Sequence, residues 1–484
     1  MQPLSLSPEA ASFSFVARSP TLKYVSSLST DRRLAKADIA GSLAHVAMLQ
    51  EAGILTRQEA KRLAASLRAC LEEIEGGSFP WQEALEDVHT NIEARVMALS
   101  GPMGEKLHAA RSRNDQVALD ERIFVRIALE NLLEKIVATE KALLEQAKAT
   151  TSVVVPAYTH LRRAQPALLA HVFLAHFWRL ARDADRLNDA FARFNVSPAG
   201  AAAVVGTSLP VDVRIPASLL GFDRVFTNSM DATSDRDFFV EVTSDLALLA
   251  AHLSGLCEDL ILFSSEEFGF LSLAEAHAAG SSLLPNKRNP DALELVRGKT
   301  GSVVGDLVAL LHMLKGLPMG YHRDLQADKE ASFHAIDTMM EALEVVAEVV
   351  ADLSVHPEVG TRAVHPETSA ALLVEFLVAR GIAYREAYET VKDHLPAILN
   401  APDNASRASA LRKASRLFDE SALALLAPDQ AVAAILSHGG TGPSRVAAQI
   451  HEAEGTSGRQ AYHLNLIAKK NRQIADILSG ETGP

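Results

Sequence analysis

Apolar residues recur through the middle of the chain at alternating steps of four and three. Val242, Leu246, Leu249, Leu253, Leu256 and Leu260 form one such series. Leu293, Val296, Val303, Leu307, Leu310 and Leu314 form a second, and Ile336, Met340, Leu343, Val346, Val350 and Leu353 a third. This spacing puts each set on one stripe of a helix and predicts helix-on-helix packing. Two further long helical patterns run from about Val117 to Ala149 and from about Gln165 to Phe194. Five long helices in one region predict an elongated bundle. Ala247, Ala250, Ala251, Ser254 and Gly255 place small side chains on one of them. They let other helices approach closely and predict association along the bundle axis.

The flanks follow a shorter rhythm. Residues 1–110 carry brief helical patterns, Asp38 to Ala52 and Thr56 to Glu75, broken by Gly76-Gly77 and Pro80. Residues 196–230 are punctuated by Pro and Gly and predict a connection. After about His356, Pro357, Pro366, Pro396 and Pro402 divide the chain into compact helices. Three units are therefore expected: an N-terminal helical domain over 1–110, a central bundle over 111–360 and a small helical domain over 361–484.

Composition narrows the picture. Hydrophobic residues make up 48% of the 484 and aromatics only 5%, which favours helix packing over a sandwich of sheets. The formal charge is −13, so no overall basic character points to nucleic acid, and an anionic substrate would need a locally basic pocket. Cys70 and Cys257 lie far apart and fit no metal spacing, which predicts a reducing, cytoplasmic setting. The N-terminal stretch lacks a basic region followed by an apolar run, so no signal peptide is expected. No stretch approaches about 18 uncharged apolar residues, and no membrane association is expected.

Five polar segments carry the candidate chemistry. Gly280 to Pro290 (GSSLLPNKRNP) lies between two helical patterns, and its Gly, Pro and cations predict a loop. A Ser near a Lys and an Asn can move a proton beside an anion pocket. Glu86 to Asn91 mixes acid, imidazole and amide, with Thr90 and Glu93 also suited to a helix capping box. His108 to Gln116 sets Arg111 and Arg113 at the start of a long helix, cationic forks beside backbone N–H donors. Tyr158 to Pro166 brings Thr159 and His160 directly ahead of a predicted helix. In Tyr321 to Glu330, Gln326 and Lys329 are three apart and would share a helix face. Each segment also has a plain structural reading, as a turn, a cap or a solvated helix start.

In this order the segments resemble the argininosuccinate lyase family. Gly280 to Pro290 is similar to GSSxMPxKxNP, the signature loop of the wider fumarase/aspartase superfamily, with Leu284 in place of the Met. Ser27 to Leu34, then Asp38 to Ser42, Ala44-His45 and Met48-Leu49, resemble SISFDRRLxxxDIxGSxAHxxML. The other segments are similar to EDxHxxxE, HTxRSRNDQ, YTHLQxAQP and YNRDxQEDKE. Asn228 to Ala232 and Ser265 to Phe270 look like the same family. The resemblance runs from about residue 25 to about residue 450.

The resemblance implies an all-α, three-domain fumarase/aspartase-type fold with a central five-helix bundle. It also implies a homotetramer with a twenty-helix core, whose active sites each draw on three subunits. The implied reaction splits argininosuccinate into arginine and fumarate by anti elimination through an aci-carboxylate carbanion, with no metal or organic cofactor. Ser281 would be the base on a mobile loop, with Lys287 and Asn289 stabilising developing charge. His160 would be the general acid, or would organise it. Asn114 and Thr159 would bind the fumarate half. Ser27, Ser112, Arg113, Tyr321, Gln326 and Lys329 would bind the remaining carboxylate and arginine groups, with Asp87, His89 and Ser282 as further substrate contacts.

The chain departs from the family pattern at several points. Ala109 stands where the family has Thr, Arg162 where it has Gln, Thr30 where it has an aromatic, and His322 where it has Asn. Pro198 to Gly206 lacks the Ser of PLGSGALAG, and Phe15 to Ser19 replaces LWGGRF. Two other readings stay open: a related C–N lyase acting on another N-substituted aspartate, and a non-catalytic, crystallin-like homologue.

Overall fold

The computed structural model describes residues 20–484, so the altered Phe15 to Ser19 segment lies outside the described residues. Its first sizeable helices are α1 (Ala35–Glu51), α2 (Arg57–Glu75) and α3 (Val88–Ser100). Thr56 starts α2 as the sequence suggests: its hydroxyl accepts the Glu59 N–H at 3.3 Å, and the Glu59 carboxylate accepts the Thr56 N–H at 2.9 Å. The cap of α3 is a correction. Asp87, rather than Thr90, occupies the N-cap and accepts the Thr90 N–H at 2.7 Å.

The bundle consists of α4 (Arg113–Ala149), α5 (Leu169–Phe194), α6 (Asp237–Ser264), α7 (Asp291–Leu314) and α8 (Asp328–Ala351). The stripe Val242, Leu246, Leu249, Leu253, Leu256 and Leu260 is buried throughout. Each such side chain contributes about 2 kcal/mol of burial. By length and composition α6 could cross a membrane, with mean hydropathy 1.7 over its most apolar stretch. Its two acids in that stretch are paired instead: Glu258 with Arg297 of α7 at 2.5 Å, and Asp259 with His176 of α5 at 3.0 Å. It is a core helix of the bundle.

Helix α7 is different. Leu293, Val296, Val303 and Leu310 face the core, but Leu295, Val304, Val308 and Leu311 are exposed. Beside them Gly298, Gly301 and Gly305 face open space.

Strands occur only as two-stranded pairs among the described residues. The largest is a correction to the sequence reading. Thr159 and His160 do not precede a helix; they close a hairpin of β1 (Val154–Thr159) and β2 (Arg162–Leu168), and α5 begins only at Leu169. A second small hairpin, β3 (Ala279–Gly280) with β4 (Arg288–Asn289), brackets the Ser281 loop. The 196–230 connection also holds short helices, Arg214–Leu219 and Ser229–Ser234.

Beyond the bundle, α9 (Tyr384–Leu399) and its short neighbours enclose a separate small core of Leu373, Leu377, Val391, Leu411 and Phe418. The expectation of only short helices fails at α10 (Pro443–Ser479), which spans 37 residues. Val446, Ala453, Ile467, Ile474 and Ile477 return it to the main core. Arg68 of α2 donates to the Ile477 and Leu478 carbonyls at 3.2 Å each and so secures its last turn.

Candidate active site

The polar segments gather at the two ends of the bundle. Helix α4 rises about 1.5 Å per residue over 37 residues, so those ends stand about 55 Å apart. Ser27, Asp87, His89, Ser112, Arg113, Asn114, Tyr321, Gln326 and Lys329 lie at the end where α4 begins. Thr159, His160, Ser281, Ser282, Lys287 and Asn289 lie at the end where it finishes. Contacts fix the assignment: Arg236, ahead of α6, meets Asp328 of α8 at the first end. Tyr158 packs on Phe268, after α6, at the second. One chain therefore brings together two half-sites, not one site.

At the first end Ser112 caps α4 and forms a capping box with Asp115, whose carboxylate accepts the Ser112 N–H at 2.8 Å. The other Asp115 oxygen accepts the N–H of Gly200 at 3.0 Å and of Ala202 at 2.9 Å. Burial pushes this carboxyl up to about 6 despite those donors. A side chain at residue 200 would meet Val213 at 2.3 Å, so the loop needs Gly there. Asn114 donates to the Ala203 carbonyl at 2.9 Å, which ties the start of α4 to the same loop. Arg113 donates to Asp87 at 3.1 Å, and the Ser27 hydroxyl donates to Asp31.

Behind these groups lies a buried ionic core. Lys329 is 3% exposed and sits 3.1 Å from Asp328, 3.3 Å from Glu121 and 3.8 Å from Asp31. Arg236 bridges Glu121 at 2.9 Å and Asp328 at 2.5 Å. Burial opposes charge on Lys329 and Arg236, yet the carboxylates hold both protonated well above their usual range. Burial also pushes up the Tyr321 phenol and the Glu121 carboxyl. Gln326 reaches back to the Val25 carbonyl at 3.1 Å and accepts from Arg323 at 2.8 Å.

His89 belongs to the same interior. Its Nδ1 lies 2.5 Å from Asp38 and 3.4 Å from Asp120. Burial would lower its pKa, but the hydrogen bond and charge of Asp38 hold the ring above its usual range. Asp38, His89 and Asp120 are the described residues whose donor atoms come close enough to share a cation. A 2.5 Å contact is a hydrogen bond between two of those donors, so the set fits proton sharing better than metal ligation.

At the second end, the Ser281 hydroxyl accepts the backbone N–H of Leu284 at 3.0 Å and of Leu283 at 3.2 Å. The Lys287 carbonyl accepts the Ser281 N–H at 3.3 Å, closing the loop on itself. Two donors aimed at one oxygen favour its anionic form. Ser282 and Lys287 are exposed, and Asn289 is half-buried. His160 and Leu161 form the β1–β2 turn with φ of 54° and 55°. Left-handed backbone at non-glycine residues costs on the order of 1–3 kcal/mol each and clusters at functional tips.

Sequence reasoning missed part of this site. Asp120, Glu121 and Arg122 are consecutive charges inside α4, and all are buried. Three adjacent charges interrupting a long helical pattern were the available signal, but the partners of Glu121 and Arg122, Arg236 and Asp235, lie far along the chain.

Comparison with known proteins decides the family. A model of the family described as Lyase matches residues 19–305. The argininosuccinate lyase of Symbiobacterium thermophilum is 44% identical over 433 residues, covering 88% of this chain and 93% of that protein. The chain belongs to the argininosuccinate lyase family. Another argininosuccinate lyase, from Bacillus subtilis, is 40% identical and covers 89% of this chain and 94% of its own length. Among solved structures, EDDS lyase in complex with formate matches with a TM-score of 0.82 at 26% identity, over 99% of this chain and 96% of that one. A variant of EDDS lyase with bound fumarate matches with a TM-score of 0.81, also at 26% identity, over 98% of this chain and 95% of that one. The all-α fold is therefore that of the fumarase/aspartase superfamily, with family segments at both bundle ends.

Proposed function

We propose that this chain is a carbon–nitrogen lyase that splits argininosuccinate into arginine and fumarate. The observation that carries the reading is the 44% identity to an argininosuccinate lyase over 88% of the chain. In this reading Ser281 takes the proton from the carbon beside a substrate carboxylate, and the electron pair is held as an aci-carboxylate. Lys287, Asn289, Ser282 and the loop amides meet that charge. The C–N bond then breaks, and His160 supplies the proton to the departing guanidinium nitrogen. The two N–H donors at the Ser281 hydroxyl support its role, since they would ease loss of its proton.

Thr159 and Asn114 would hold the fumarate half, and Ser27, Ser112, Arg113, Tyr321 and Gln326 the rest of the substrate. Asp87 would act beside Arg113. Lys329, buried among Asp328, Glu121 and Asp31, and His89, buried and held at Nδ1 by Asp38, would act by shaping the pocket wall. Assembly into a homotetramer with shared sites is part of the proposal. The separation of the half-sites supports it, as do the exposed apolar residues and open glycines of α7. A cytoplasmic setting fits the two unpaired buried thiols, Cys70 and Cys257, which burial pushes up to about 12.

The test is fumarate release, followed by ultraviolet absorbance, with purified protein and argininosuccinate. Sustained turnover is expected. No turnover with fumarate still binding would favour another N-substituted aspartate as substrate, and no fumarate binding would favour a non-catalytic homologue.

A further inference from the structure

We propose that Arg162 is a specificity-determining residue that grips a carboxylate of the substrate, and of fumarate, side by side with Thr159. The inference rests on the lyase reading above and deepens it.

Tyr158 stands opposite Arg163, and Thr159 opposite Arg162. Directly opposed residues share one face of a two-stranded sheet, and the next pair faces the other way. The Tyr158–Arg163 face is the one that has neighbours, with Tyr158 half-buried and Arg163 exposed. The Tyr158 ring lies 5.3 Å from that of Phe268 and 6.5 Å from that of Phe263, and the Arg163 guanidinium comes within 3.4 Å of the His365 ring. Thr159 and Arg162 share the opposite face, and both are exposed. Among the described residues, neither side chain has a hydrogen-bond or ion-pair partner.

Cross-strand neighbours stand about 5 Å apart at Cβ, which places a hydroxyl donor and a guanidinium fork on one side of the tip. A bulge keeps that register: Ala164 and Gln165 together stand opposite Ala157, so the pairing resets before the turn. His160, exposed, follows Thr159 directly in the turn. A planar, permanently charged fork matches a carboxylate with two parallel hydrogen bonds. The Gln of the family pattern offers donors without charge. On a chain with net charge −13, a local cation beside the proton donor raises the hold on a dianionic ligand.

The test is isothermal titration of the full-length protein with fumarate and, separately, with arginine. Wild type, Arg162→Gln and Arg162→Lys are compared at low and high salt. Arg162→Gln is expected to weaken fumarate about tenfold or more and to flatten its salt dependence, leaving arginine unaffected. Arg162→Lys should recover part of the loss. Equal fumarate affinity in wild type and Arg162→Gln would overturn the inference while leaving the lyase reading intact. Dissociation of the assembly in Arg162→Gln with fumarate affinity retained would also overturn it, by making Arg162 a contact between subunits. Absence of fumarate binding in the wild type would instead remove the reading on which the inference stands.

Discussion

Asp87 and Arg113 meet at 3.1 Å, and through that contact the start of α3 is tied to the start of α4. Asp87 has two separable tasks, since its other oxygen caps α3 through the Thr90 N–H at 2.7 Å. Asp87→Ala removes both and should cost about 1 kcal/mol for the lost cap. Asp87→Asn keeps an acceptor for the cap and loses the ion pair. It should melt close to wild type in urea yet show a raised KM, because Arg113 is no longer oriented. Equal destabilisation in the two variants would mean that the cap is not what Asp87 contributes to stability.

Ser281 carries the sharpest catalytic prediction. Ser281→Ala removes the hydroxyl at which the two loop amides converge. Turnover should fall about 10²–10⁴-fold, the usual worth of a positioned proton-transfer group. Binding of argininosuccinate, measured by titration, should change little, because the lost interaction matters in the transition state. Near-normal turnover would place the base elsewhere.

A pH prediction follows from Glu140. This carboxyl is fully buried in α4 and, among the described residues, accepts only from Gln460 of α10, at 3.1 Å. Burial pushes it up to about 8, with the Gln460 hydrogen bond opposing. The folded value lies above the unfolded one, so the folded chain holds this proton more tightly. Its contribution is complete below about pH 4 and is lost as pH rises through about 8. Thermal melts of wild type should therefore lose stability from pH 6 to pH 9, and Glu140→Gln should lose less over the same interval. Parallel pH profiles would contradict the assignment.

The bundle was legible because its stripes are long: six apolar residues at helical spacing leave little choice of helix face. The Ser281 loop was legible because Gly280, Pro285 and Pro290 exclude a helix. The hairpin at His160 was not. Val153, Val154 and Val155 are strand formers, but Pro156 follows them, and the turn uses His160 and Leu161 where Asn-Gly would have announced it. Helix α10 escaped because only scattered positions, such as Val446, Ala453 and Ile467, are buried, with Gly455 and Gly458 between them. The ionic core escaped for a tertiary reason. Glu121 reads as a surface charge until Arg236, just ahead of α6, and Lys329 of α8 arrive beside it.

In the proposed enzyme, an argininosuccinate-cleaving site is assembled from opposite bundle ends of different chains. The decisive experiment mixes two inactive variants, Ser281→Ala and Arg113→Ala, and assays fumarate release from argininosuccinate after subunit exchange. If the two half-sites meet only between chains of a closed homo-oligomer, about one quarter of wild-type activity should return. No recovery, with exchange confirmed by mass, would contradict it.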